Sequence, residues 1–102
     1  MHWYHYVASF FAGVFLTNMI PHFVNGVSGN RFPTPFAKPP GRGLSSPLLN
    51  VIWALFNLIV GCLLFDVAKI SKENLWSIAV FFLGILLMSI ELASASAKKH
   101  HA

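Results

Sequence analysis

The residues best suited to chemistry in this sequence are polar groups set inside apolar runs. Asn18 and His22 lie four residues apart near the end of the first run. That spacing places them on one face if the run is helical. Asn50 falls one turn into the second run, and Glu91 about one turn before the end of the third. If the three runs cross a membrane in alternating directions, all four reach a similar level. An imidazole and a carboxylate at that depth would relay a proton or hold a small polar solute. Each also has a structural explanation: Glu91 reaching headgroups or Lys98 and Lys99, His22 meeting carbonyls freed by Pro21, Asn18 and Asn50 bonding between helices. Intramembrane polar groups serve both purposes, and both readings stay open at this point.

Other chemistry is sparse. His2 and His5 could share a helix face, but His100 and His101 belong to the other end of the chain. No HExxH, CxxC or glycine-rich phosphate loop occurs, and Ser45 and Ser46 have no His or acid beside them in sequence. No catalytic residue, metal site or cofactor is therefore expected, and the chain reads as a non-enzyme. Cys62 stands alone in the second apolar run, so it makes no internal disulfide and reads as core filler.

Three elements must position these groups. Of the 102 residues 56% are hydrophobic and 10% charged, against about 25% charged in soluble domains. A soluble fold of this size cannot hide so much apolar surface. The expected class is an all-α membrane protein: one integral domain spanning residues 1–102, with helices over about 3–24, 47–65 and 75–95. Each approaches the ~20 residues that cross a ~30 Å hydrocarbon core. Lipid requires every backbone group to pair within its own segment, which selects helices. Residues 27–29 loosely resemble a signal-peptidase site, but no Lys or Arg precedes the first run, which is read as an uncleaved span. Small and polar residues recur at helical spacing: Ser9, Gly13 and Thr17 on the first helix, Asn50, Asn57 and Gly61 on the second, Ser77 and Gly84 on the third. Such stripes let helix backbones approach closely.

Residues 25–46 form a long proline-rich loop, and 96–102 a basic tail. The stretch from Asn30 to Pro47 holds five of the six prolines and is expected to be neither helix nor strand. Pro33-Thr34-Pro35 and Pro39-Pro40 should be extended. One reading is a stiff flap over the helix ends, docking through Arg31, Phe32, Phe36, Lys38 and Arg42. The other is a rigid spacer. Ser46-Pro47 reads as a helix cap with proline in the first turn. Asn74 is a candidate cap for the third helix, and Pro21 should kink or end the first.

Charge sets the orientation. Arg31, Lys38, Arg42, Lys98 and Lys99 lie on the loop-and-tail side, Lys69 and Lys72 on the other. The positive-inside rule then places loop and tail in the cytoplasm and the N-terminus outside. The net charge of +4 suits contact with anionic lipid headgroups at loop and tail. It does not suit nucleic acid, because the cations are split between two faces. Trp3, Tyr4, Tyr6 and Trp76 read as an interfacial aromatic belt.

The pattern PHFVNGVSGNRFPTPFAKPPGRGLSSP followed by NVIWALFNLIVG, within residues 21–61, resembles short bacterial integral membrane proteins of unassigned activity. The resemblance implies a bacterial inner membrane and carries over no site residue. Two functions follow: a non-enzymatic subunit that assembles with itself or a larger membrane partner, or a homo-oligomeric transporter or channel built on Asn18, His22, Asn50 and Glu91.

Overall fold

The computed structural model describes residues 2–39 and 43–101, with side chains as far as Ala97. Arg42 of the expected docking set, and the side chains of the tail cations Lys98 and Lys99, lie outside the described residues. Three helices dominate: α1 (Trp3–Val27), α2 (Pro47–Ala68) and α3 (Leu75–His101). All three contain stretches long and apolar enough to cross a membrane. They run up, down and up in a bundle of 44 × 24 × 21 Å.

The boundaries follow from local chemistry. Ser46 accepts from the Leu49 amide at 3.1 Å and Pro47 opens α2. Proline fits there because the first-turn N–H has no helical partner. Lys69 closes α2 in the left-handed region, at φ 55°, with its amide on the Asp66 carbonyl. Pro21 does not stop α1, which runs on to Val27. Its ring removes one amide. The turn that follows is secured by the Asn25 side chain, whose Nδ2 donates to the Pro21 carbonyl at 2.8 Å.

α1 is the middle helix, with α2 and α3 packed on either side of it. Small residues set these distances. A Cβ on Gly13 would lie 2.3 Å from the Phe81 carbonyl oxygen, and one on Gly84 2.1 Å from that of Phe10. The α1–α3 crossing is thus backbone against backbone. Gly61 receives the Leu16 side chain, and Ala12 and Ala54 are fully buried. Thr17 is half-buried and faces the Ser89–Ser96 stretch of α3 across a shallow groove. Cys62 points outward from α2 rather than filling the core, which corrects the reading of the sequence.

α2 and α3 touch near their shared connector, where the Phe65 and Phe81 rings lie 5.5 Å apart. At this end Ser9 Oγ donates to the Ser77 carbonyl at 2.7 Å, and Asn74 Nδ2 to the Tyr6 hydroxyl at 3.0 Å. Asn74 thereby ties α1 to the start of α3 through its side chain. In the connector, Glu73 bonds the Ser71 hydroxyl. That bond, with a backbone amide second, holds the Glu73 carboxyl below its ordinary range. Trp3 and Trp76, both about three-quarters exposed, belong to this same end.

The proline-rich segment differs from expectation. It is not structureless: β1 (Phe32–Pro33) and β2 (Leu44–Ser45) pair antiparallel, Phe32 opposite Ser45 and Pro33 opposite Leu44. In a two-stranded ribbon each strand is an edge, where proline's missing donor is tolerated. Thr34 and Ser45 join hydroxyls at 2.6 Å, and Thr34 is 1% exposed.

Candidate functional site

The hairpin end of the bundle holds the polar residues singled out from the sequence. α1 carries Asn18 and His22 on one face, and the first turn of α2 carries Asn50. His22 Nδ1 lies 2.7 Å from Asn50 Oδ1. Asn50 Nδ2 reaches three carbonyl oxygens: Phe32 at 3.1 Å, Ser45 at 3.2 Å and Ser46 at 3.0 Å. Asn50 is fully buried, so the hairpin is fastened to α2 from inside and to α1 through His22. Buried polar groups satisfied in this way hold one arrangement of the surrounding chain.

One turn deeper, Asn18 Nδ2 donates to Asn57 Oδ1 at 3.0 Å, and Asn57 Nδ2 donates to the Trp53 carbonyl at 2.8 Å. Asn57 appears in the sequence only as part of a packing stripe; here it is the partner of Asn18. Its seven-residue spacing from Asn50, two turns along one helix face, was the available signal.

Aromatic rings enclose the imidazole. Phe32 stands edge-on to His22 at 5.3 Å, and Trp53 at 6.5 Å. Phe36 stands edge-on to Trp53 at 5.0 Å, and Trp53 stacks on Phe56 at 5.4 Å. Phe32 is therefore buried against its own helices and is not an outward docking residue. Phe36, Arg31 and Lys38 remain on the surface.

Because α2 and α3 meet at the opposite end, a cleft of about 280 Å³ opens beside β1. Its walls include Asn18, His22, Phe32, Thr34, Trp53 and Glu91. Asn50 stands behind His22 and does not line it. The four expected site residues thus divide: Asn18, His22 and Glu91 share the cleft, while Asn50 orients one of them. Glu91 is exposed and, among the described residues, makes no hydrogen bond or ion pair. Trp53 Nε1 is buried without a hydrogen-bond partner. Among the described residues no three His, Cys, Asp or Glu side chains converge on a metal position. His2 and His5 stack at the far end, where His5 Nδ1 accepts from the His2 amide at 3.0 Å.

Chemically, the arrangement presents acceptors between aromatic walls. A nucleophile with an adjacent base is not among its features. Comparison with family models, with curated proteins and with solved structures gives no match.

Proposed function

We propose that this chain is a small non-enzymatic membrane subunit that assembles with itself or with a larger membrane partner through α3. One observation carries this reading: Asn18, His22, Asn50 and Asn57 bond one another across α1 and α2 and so hold the chain together. Asn18 bonds Asn57, and His22 bonds Asn50, which holds the hairpin. Such pairing is the use expected of interhelical polar residues in lipid. The surface least used within the chain, and so open to another membrane helix, is the apolar face of α3. Only 6% of the α3 span is buried within the chain, against 28% for α1.

The setting is a bacterial inner membrane, with the N-terminus outside and the hairpin and C-terminus cytoplasmic. The distribution of cations and the resemblance of residues 21–61 support that placement. The hairpin is a preformed cap over the cytoplasmic helix ends, with Arg31 and Lys38 at the headgroups and Phe36 at its outer edge. The transporter reading has one observation in its favour, the cleft shared by Asn18, His22 and Glu91.

Native mass spectrometry after extraction in mild detergent tests the assembly. A defined oligomer or a stoichiometric membrane partner is expected, and Leu86→Arg on the exposed face of α3 should return the chain to a monomer. A wild-type chain that is monomeric and partner-free at all detergent levels refutes the proposal. Solute or proton flux in proteoliposomes, abolished by Glu91→Gln, would favour the transporter instead.

A further inference from the structure

We propose that the cleft between β1 and the three helices binds a primary ammonium group, carried by an aminoethyl lipid headgroup or by a small free amine. The site lies within one chain, so it stands apart from the assembly reading.

The hydrogen-bond network fixes which atoms are left to meet a ligand. Asn50 Nδ2 faces the carbonyls of Phe32, Ser45 and Ser46. Reversing the amide would crowd its oxygen among three others, so the orientation is settled by the network. Oδ1 is then the atom 2.7 Å from His22 Nδ1, and Nδ1 must be the donor. His22 Nε2 keeps its lone pair. The ring is 4% exposed and forms part of the cleft wall.

A second pair of amides lies one turn away. Asn57 Nδ2 is committed to the Trp53 carbonyl, so its Oδ1 accepts from Asn18. Asn18 Oδ1 is left as a second acceptor, and Asn18 lines the cleft. The Glu91 carboxylate is the third.

Three acceptors, one of them an anion, define the ligand. A primary ammonium offers three N–H donors and a positive charge. The Phe32 and Trp53 rings add aromatic walls to the cleft. A phosphate or carboxylate would be repelled by Glu91 and would find no facing donor, since Trp53 Nε1 is sealed from the surface. A quaternary ammonium cannot donate at all. A metal ion would find no group of three His, Cys, Asp or Glu side chains among the described residues. Charged groups in apolar spans are costly unless paired, and an ammonium supplies the partner that Glu91 lacks among the described residues.

The test is ligand retention by the full chain in detergent, read by native mass spectrometry. The probes are dioleoyl phosphatidylethanolamine, dioleoyl phosphatidylcholine and free ethanolamine. At least one of the two primary amines should bind, and the choline lipid at least tenfold more weakly than the ethanolamine lipid if the lipid is the source. Glu91→Gln should lose tenfold or more, while Glu73→Gln, in the connector at the opposite end, should bind as the wild type does. Because Glu91 is exposed and bonds no side chain among the described residues, Glu91→Gln should keep the wild-type helical content and unfolding midpoint. Binding of ethanolamine in lipid-free protein assigns the site to a free amine, and binding of the ethanolamine lipid alone assigns it to a headgroup. Full binding by Glu91→Gln, no binding of either amine, or equal retention of the ethanolamine and choline lipids without binding of free ethanolamine overturns the proposal.

Discussion

Asn50 is the residue on which the hairpin end depends. It belongs to no recognisable motif, yet its fully buried side chain closes four polar contacts. Asn50→Asp keeps the shape and the oxygen near His22 but removes the amide hydrogens. Three carbonyls would then face an oxygen. Leaving buried acceptors unpaired costs ~1–3 kcal/mol per group, so a loss of roughly 3 kcal/mol is expected. Asn18→Leu leaves one buried acceptor, Asn57 Oδ1, without its donor and should cost about 1 kcal/mol. Unfolding in detergent measures both, with protease cleavage in residues 34–44 as a second readout for Asn50→Asp. Equal costs for the two variants would show that the hairpin is held by packing alone. At this scale the sequence was legible in part. Asn, His and Glu inside apolar runs are conspicuous because lipid makes them expensive. Their pairing was not legible: which asparagine meets which depends on how α1 and α2 are set against each other, and that offset is decided by Gly26, Gly61 and their neighbours rather than by the polar residues.

Among the elements, the helices were readable from composition and the hairpin was not. Apolar length forecast α1, α2 and α3, and Ser46-Pro47 marked the start of α2 to the residue. Their ends ran further than expected, to Val27, Ala68 and His101, because hydrogen bonding carries helix past the point where apolar composition fades. The strands were hidden by proline, which normally argues against sheet. They exist because Asn50 gathers the carbonyls of Phe32 and Ser45 and so draws two distant residues to one place, a tertiary cause with no local signature. The α1–α3 crossing offers a sharper test of element packing. A methyl at Gly84 would meet the Phe10 carbonyl, which is backbone and cannot step aside; a methyl at Gly61 would meet mainly the Leu16 side chain, which can rotate. Overpacking costs ~1–3 kcal/mol and more where nothing relaxes. Gly84→Ala should therefore destabilise by about 3 kcal/mol or more and Gly61→Ala by about 1 kcal/mol, both read from unfolding midpoints in detergent. The reverse order would mean that α3 is free to move away from α1.

For the molecule as a whole, the two connectors leave the bundle at opposite ends and differ in kind. Residues 69–74 make a tight polar turn bearing Lys69 and Lys72. The other connector holds the β1–β2 pair, with Arg31 and Lys38 on its surface and Arg42 in the same stretch of sequence. Neither the bundle geometry nor the apolar lengths of the helices favour one insertion over its mirror; three similar spans fit a bilayer equally well either way up. The proposed orientation therefore rests on cations alone, and removing them should release it. Arg31→Gln, Lys38→Gln and Arg42→Gln together leave two Lys/Arg residues on each side, Lys98 and Lys99 against Lys69 and Lys72. Wild-type helical content and an unchanged unfolding midpoint are the check that the triple variant still folds before its orientation is read. Paired reporters at the C-terminus, one active only in the cytoplasm and one only outside, should report a single cytoplasmic location for the parent chain and a mixture of both for the triple variant. Restoring Arg31 and Lys38 should recover most of the original bias. A parent chain whose C-terminus lies outside, or a triple variant that keeps one orientation, would move the determinant from charge to the hairpin itself and would place the Glu91 end of the cleft against the other leaflet.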